Sequence, residues 1–346
     1  MNQKNNQLNP LKTSSYDYDL PPEHIATYPA DPADSAKLLV FDTTTQKIIH
    51  TTFNHLLDYI PENSEIFFND TKVIKARIFG RKATGGKIEL LFNKPLPDNQ
   101  YLVYMRGKVL VGNIITFDSG VSIKVLKLQE DGTRIVKFYQ DQKELDFLTL
   151  VEILNDIGHL PLPPYIKRED EASDTTDYQT LFAKNYGAVA APTASLHFTP
   201  ELLKSLQEKY STNYLTLHVG AGTFKPVESE DILDHPMHGE FYDIPQPSKD
   251  ILDTNKKILA VGTTVTRTIE FYNDTKQLNG EANLFLNPLN KPKRVNYLLT
   301  NFHLPKSTLI MLVASFIGID KTMEIYKEAV KENYRFFSYG DGMLIV

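Results

Sequence analysis

VIKARIF (Val73 to Phe79), KIELLF (Lys87 to Phe92), YLVYM (Tyr101 to Met105), NIITF (Asn113 to Phe117), VSIKVLKL (Val121 to Leu128) and RIVKFY (Arg134 to Tyr139) follow one another with little but turns between them. Each run has strand length and is rich in β-branched or aromatic residues. Gly-Lys, Gly-Asn, Asp-Ser-Gly and Glu-Asp-Gly mark the junctions, and these are turn-forming pairs. Short strands at this spacing predict a small antiparallel β-barrel or sandwich. The module is expected to fill residues 71–142.

On both sides the pattern changes to alternating strands and helices. KLLVFD, KIIHTTF and SEIFFND precede the module, with a short helix FNHLLDYI between the last two. After it, ELDFLTLVEILNDIG has helical spacing and ends on Gly158. A Pro-rich acidic connection follows, HLPLPPYIKREDEASDTTDYQ, whose prolines block a helix. TPELLKSLQEKY has Thr199 as N-cap and Pro200 in the first turn. Strand YLTLHV, helix KDILDTNKK, strand ILAVGT, helix TVTRTIEFYN, helices STLIMLVASF and KTMEIYKEAVKEN, and strand MLIV complete the chain. The expected fold is an α/β body, 16–70 with 143–346, interrupted by the β-barrel. The strands near Val40, Ile66, Leu217 and Val261 are expected in one sheet.

With 346 residues the chain exceeds one ordinary core, which fits two units. It has no cysteine, so disulfides, zinc–thiolate sites and thiol nucleophiles are excluded together, and a cytoplasmic location is expected. The first residues are polar and Asn/Gln-rich, and are expected to form a disordered tail up to Ser15. Thr308 to Ile319, the most apolar window, is shorter than the ~20 residues a membrane span needs. The net charge of −6 hides an asymmetry. Thr71 to Gly112 holds nine Lys/Arg against Glu89 and Asp98, a distribution suited to a polyanion such as RNA.

Four runs place histidines beside small and hydrogen-bonding residues: APTASLHF with His197, TLHVGAGTF with His218, HPMHGE with His235 and His238, and TNFHLPKST with His303. In the second, a Gly-x-Gly turn directly follows a strand, so ligand atoms can approach backbone N–H groups. The third glycine of a dinucleotide fingerprint is missing, and Phe224-Lys225-Pro226 follows instead. His235, His238 and Glu240 are metal-ligand types, but Pro236 breaks the helix that would align them, and an acid–base role is preferred. AVGTTVTRTIE reads as strand, turn and helix start, with Arg267 one turn in and placed to meet a carboxylate. Asn69, Asp70 and Lys72 sit at a turn ahead of Arg77, and the terminal YRFFSYGDGM carries Asp341 among aromatics.

In their order these blocks, with YDYDLPPEHIATYPA, NDTKVIKAR, TGGKIELL, LPLPPYIKR and DYQTLFAKNYGAVAAPTA, resemble the S-adenosylmethionine:tRNA ribosyltransferase-isomerases of queuosine biosynthesis, from Tyr16 to Val346. The resemblance implies an α/β body with an inserted β-barrel. It also implies transfer of the ribosyl part of S-adenosylmethionine to 7-aminomethyl-7-deazaguanine at the tRNA wobble position. Adenine and methionine leave, and the ribose becomes the epoxycyclopentane of epoxyqueuosine. S-adenosylmethionine is then a consumed substrate, with no separate cofactor, no metal and no membrane partner, and the enzyme is expected to be a monomer.

That chemistry needs a base for the 5′ proton made acidic by the sulfonium, an acid for departing adenine, and a neutral amine to attack. His218, His238, His303 and Glu240 are the catalytic candidates. Arg267 or Lys306 would hold the methionine carboxylate, and Asn69 with Asp70 the ribose hydroxyls. Arg77, Tyr178, Gln179, His197, Gly220, Gly222, Thr223 and Asp341 complete the substrate-binding set. Lys72, Arg81, Lys82, Lys87, Arg106 and Lys108 would grip RNA phosphates. The chain departs from the family's usual pattern at Ser195, where glycine is common, and at Asn296, where an acidic residue is common. These departures leave an alternative open, a homologue that binds RNA or a nucleoside without this catalysis or with another substrate.

Overall fold

The computed structural model describes residues 8–117, 120–224 and 226–346, with the side chains of Thr223 and Phe224 excepted. In chain order the strands are β1 (Lys37–Asp42), β2 (Lys47–Thr52), β3 (Ser64–Asn69), β4 (Thr71–Val73), β5 (Arg77–Lys82), β6 (Lys87–Leu96), β7 (Gln100–Arg106), β8 (Ile114–Phe117), β9 (Val121–Leu128), β10 (Thr133–Gln140) and β11 (Lys143–Glu144). After helices α1 (Phe147–Ile157) and α2 (Asp174–Asp177) come β12 (Asn185–Ala188), α3 (Pro200–Lys209), β13 (Thr212–Leu217), β14 (Glu240–Asp243), α4 (Gln246–Leu252) and β15 (Lys257–Val261). The chain ends with α5 (Thr263–Thr275), β16 (Asn279–Ala282), β17 (Tyr297–Asn301), α6 (Thr308–Ile317), α7 (Ile319–Lys331) and β18 (Gly342–Ile345).

The body sheet has the order β16-β14-β13-β3-β15-β17-β18-β1-β2. As expected, it unites the strands around Val40, Ile66, Leu217 and Val261. SEIFFN of β3 lies between parallel neighbours β13 and β15, and all six of its residues are buried. Parallel sheets covered on both faces select apolar runs such as its centre, Ile66 to Phe68. Helices α6 and α7 pack on one face with Tyr16 and Tyr18. Ser307 caps α6 by accepting from the Ile310 N–H.

Residues 77–144 close on themselves. β5 pairs with β6, β6 with β7, β7 with β10, β10 with β9, β9 with β8 and β8 with β5, all antiparallel, making a six-stranded barrel. Alternate residues such as Ile88, Leu90 and Phe92 fill it, and α1 covers it with Leu150, Val151 and Leu154. Asp146 caps that helix by accepting from the Thr149 N–H.

Several expectations are corrected in detail. β4 lies in the stretch assigned to the module, yet it pairs with β12 of the body, and β11 extends the barrel past residue 142. The tail expected up to Ser15 is held from Leu8 onward; its first seven residues lie outside the described residues. Lys12 pairs with Glu230 at 2.6 Å, Thr13 is buried, and the Leu8 N–H donates to Asp320. The helix expected from Lys249 begins at Gln246 and ends at Leu252, and the helix read in FNHLLDYI is a 3-10 turn over Phe53–Asp58. β12, β14, β16 and β17 are short strands without a marked pattern, and the sequence did not announce them.

Candidate active site

β13, third from one edge of the body sheet, ends at Leu217 and delivers His218 to a cavity of about 480 Å³. That volume suits a small-molecule site. One wall is the segment His235 to Phe241 with Gly220 and Gly222; the other is barrel strand β6 with Tyr104 of β7 and Phe147 of α1.

His218 is fixed on every side. Its Nδ1 lies 2.8 Å from Thr71 Oγ1, and its ring stacks on Phe241 at 5.8 Å and 17°. Gly187 covers it closely, since a Cβ there would come 2.7 Å from Nε2. Gly187 also holds φ at +153°, so the position requires glycine twice over. Burial lowers the His218 pKa to about 4, which leaves the imidazole neutral around pH 7.

Glu240 opens β14 as a buried carboxylate. Its Oε1 accepts from the Gly220 N–H at 3.0 Å and its Oε2 from Arg267 Nη1 at 2.7 Å, both side chains being 8% exposed. Arg267 stands on α5, which starts where Gly262 turns the chain at φ +101°. Its Nη2 donates to Ala282 O, while its buried Nε has no hydrogen-bond partner. His238 packs over Gly222, where a Cβ would be 3.3 Å from the ring. Burial, and then His238, lower the pKa of His235. Among the described residues no group of three or more His, Cys, Asp or Glu is placed to hold a metal ion.

His218, His238, Glu240, Arg267, Gly220 and Gly222 all line one cavity. His303 does not join them. It lines a neighbouring cavity of about 80 Å³ that shares Leu309 with the first. Its Nε2 lies 2.9 Å from Thr300 Oγ1, and burial lowers its pKa to about 3. His197 stacks on Phe53 at 4.2 Å beside Asn301, and burial, with Arg335 nearby, lowers its pKa to about 3.

Other candidates are bound up in the framework. Asn69 joins β3 to β13 by donating to Leu217 O and accepting from the Leu217 N–H. Asp70 accepts from Thr216 and Asn185, Gln179 brackets Val73, and Asp341 accepts from the N–H groups of Lys37 and Arg335. Tyr178 is fully buried against Tyr339, Lys306 pairs with Asp17 at 2.6 Å, and Arg77 pairs with Glu89 at 2.8 Å. None of these side chains lines the cavity at His218. The Thr223 side chain lies outside the described residues. Arg81, Lys87, Arg106 and Lys108 are exposed at one end of the barrel, where Lys82 donates to Lys108 O; Lys72 sits apart, over the Tyr186 ring at 4.6 Å.

The sequence reading missed the barrel's share of the wall: Asn93, Lys94, Tyr104, Phe147 and, facing them, Glu281. β6 slips register between Phe92 and Lys94, which turns Asn93 and Lys94 toward the body. Composition carries no signal for that bulge.

Residues 13–345 match the family described as queuosine biosynthesis protein. The chain belongs to this family. It is 69% identical to the S-adenosylmethionine:tRNA ribosyltransferase-isomerase of Aliarcobacter butzleri, covering 98% of this chain and all of that one. It is 58% identical to the enzyme of the same name from Nitratiruptor sp., again over 98% of this chain and all of the relative. The crystal structure of S-adenosylmethionine tRNA ribosyltransferase from Thermotoga maritima aligns with a TM-score of 0.54 at 34% identity, over 96% of this chain and all of that one. Ser195 and Asn296, two positions where a departure from the family's pattern was expected, line neither of these two cavities. Asn296 accepts from the Ile258 N–H at the entry to β17, and Ser195 is buried in the turn Thr193–Ser195. Among the described residues no helix is long and apolar enough to cross a membrane.

Proposed function

We propose that this protein transfers the ribosyl moiety of S-adenosylmethionine to 7-aminomethyl-7-deazaguanine in tRNA and isomerises it to the epoxycyclopentane of epoxyqueuosine, releasing adenine and methionine. The observation that carries the reading is one cavity holding His218, His238 and the Glu240–Arg267 pair, in a chain that matches the family along nearly its whole length.

His218 takes the 5′ proton that the sulfonium acidifies. It is neutral when it acts, and Phe241, Gly187 and Thr71 hold its ring in one orientation. His238 hands a proton to departing adenine. The acceptor amine attacks in its neutral form, and methionine leaves as the epoxide closes. Arg267, whose Nε is unpaired, meets the methionine carboxylate. Glu240 keeps that guanidinium in place, and through the Gly220 N–H it also fixes the glycine turn. The exposed basic end of the barrel holds anticodon-stem phosphates while the base is flipped into the cavity. The reading takes the protein as a monomer of the cytoplasm, the compartment that suits a chain without cysteine.

The test mixes the protein with S-adenosylmethionine and tRNA carrying the aminomethyl base, and follows adenine release and nucleoside mass. Adenine with an epoxyqueuosine nucleoside is expected, and His218→Ala should abolish both while its circular dichroism stays native. Tight RNA binding with no adenine would overturn the reading.

A further inference from the structure

Where barrel and body meet at the mouth of the cavity, one ion pair spans them. Lys94, just past the register slip in β6, places Nζ 2.7 Å from Glu281 Oε1 on β16. Glu281 lies across Gly239, where a Cβ would come 2.7 Å from its Oε2. The carboxylate therefore sits beside the segment that carries His238 and Glu240. The two side chains are 33% and 54% exposed, so the pair adds little to stability and opens easily. The Arg267–Glu240 pair, in contrast, lies deep in the same cavity.

We propose that Lys94 and Glu281 read the Watson–Crick edge of the acceptor guanine, an inference that rests on the function proposed above. That edge presents the O6 acceptor beside two donors, N1–H and the exocyclic amine. Its complement is an ammonium next to a carboxylate: Lys94 donates to O6, and Glu281 accepts from N1–H and the amine. Position separates the two substrates. An RNA-borne base arrives from solvent on a tethered strand and meets the mouth first, whereas free S-adenosylmethionine passes to the buried end by His218. The same strand also carries Lys87 at the basic end of the barrel. Lys87 lies seven positions before Lys94, roughly 23 Å of strand, a distance suited to gripping phosphates beyond the flipped base.

The experiment compares stem-loop RNAs carrying 7-aminomethyl-7-deazaguanine or 7-aminomethyl-7-deazahypoxanthine, which lacks the exocyclic amine. For wild type, Glu281→Gln and Lys94→Met it measures kcat/KM for each RNA, KM for S-adenosylmethionine, and equilibrium binding of both RNAs. Wild type should prefer the guanine form by on the order of 10- to 100-fold, the discrimination expected of a hydrogen bond to a charged group. Glu281→Gln should lose most of that preference. Lys94→Met should weaken both RNAs about equally, since both bases keep O6. KM for S-adenosylmethionine should stay within about twofold. The proposal is overturned if wild type does not discriminate or if Glu281→Gln discriminates as wild type does. A rise in KM for S-adenosylmethionine alone would also overturn it, giving the pair to the methionine ammonium and carboxylate. Wild type that releases no adenine would refute the parent reading, and the binding comparison would still decide this one.

Discussion

Three buried histidines should make this protein acid-labile well above the range where carboxylates titrate. Burial lowers the pKa of His218 to about 4 and those of His197 and His303 to about 3, against 6.5 in the unfolded chain. A depressed histidine pKa means that below 6.5 the unfolded chain binds protons the folded one refuses. Stability from this source is therefore complete above pH 6.5 and drains away as pH falls toward 4 and 3. Between pH ~7 and ~5 each histidine costs about 1.9 kcal/mol and the three together about 6 kcal/mol. That total rivals the ~5 to 15 kcal/mol that holds most domains folded. The assay is urea unfolding at both pH values, for wild type and for His303→Gln and His197→Gln. Each variant has its own stability, but its loss between pH ~7 and ~5 should be smaller than that of wild type by about 1.9 kcal/mol. A variant that loses as much as wild type would refute the claim that the residue is buried neutral.

The remaining predictions concern the site. Glu240→Gln leaves the Arg267 guanidinium buried without its counter-charge, and should cost about 3 to 5 kcal/mol in urea unfolding as well as adenine release. The double variant Glu240→Gln with Arg267→Met should lose less than the sum of the single changes. Gly187→Ala drives a methyl onto the His218 ring and strains φ, so kcat should fall at least about tenfold while RNA affinity holds. RNA affinity should fall steeply with salt, and replacing Arg81, Lys87, Arg106 or Lys108 with Gln should reduce the log–log slope by about 0.7 to 0.9 per residue; an unchanged slope would remove that residue from the RNA face.

The sequence showed the barrel because its strands alternate and its turns carry Gly and Asp, both of which are local signals. Parallel strands such as β15, with its run Ile258 to Val261, were legible as continuous apolar runs. β14 and β16 were not, because EFYD and NGEA are too short to show a period. At the site, His218 and Gly220 could be read because glycine beside histidine after a strand has few structural uses. Asn69 and Asp341 could not be read so directly. Their polar atoms hold strand ends and turns together, and sequence alone does not separate that work from holding a ligand. Lys94 and Glu281, 187 positions apart in the chain, become a pair only when the barrel docks on the body.

The charge around the cavity bears on how a cationic substrate reacts there. Apart from the histidines, its charged lining is Lys94 and Arg267 against Asp131, Glu240 and Glu281. Arg267 answers Glu240, and Lys94 answers Glu281. The two carboxylates nearest His238, Glu240 and Glu281, are thus each answered by a cation of the protein, so neither is free to sit fully on a sulfonium. That balance matters, because a sulfonium strongly neutralised by carboxylates would withdraw less from its 5′ carbon, and the proton would be harder to remove. His218 serves the same end, since an imidazolium beside a sulfonium would repel it, and burial prevents that charge from forming. Under the mechanism proposed above, Phe241 and Gly187, which bury the ring, would do electrostatic work for the first proton transfer although neither carries a charge.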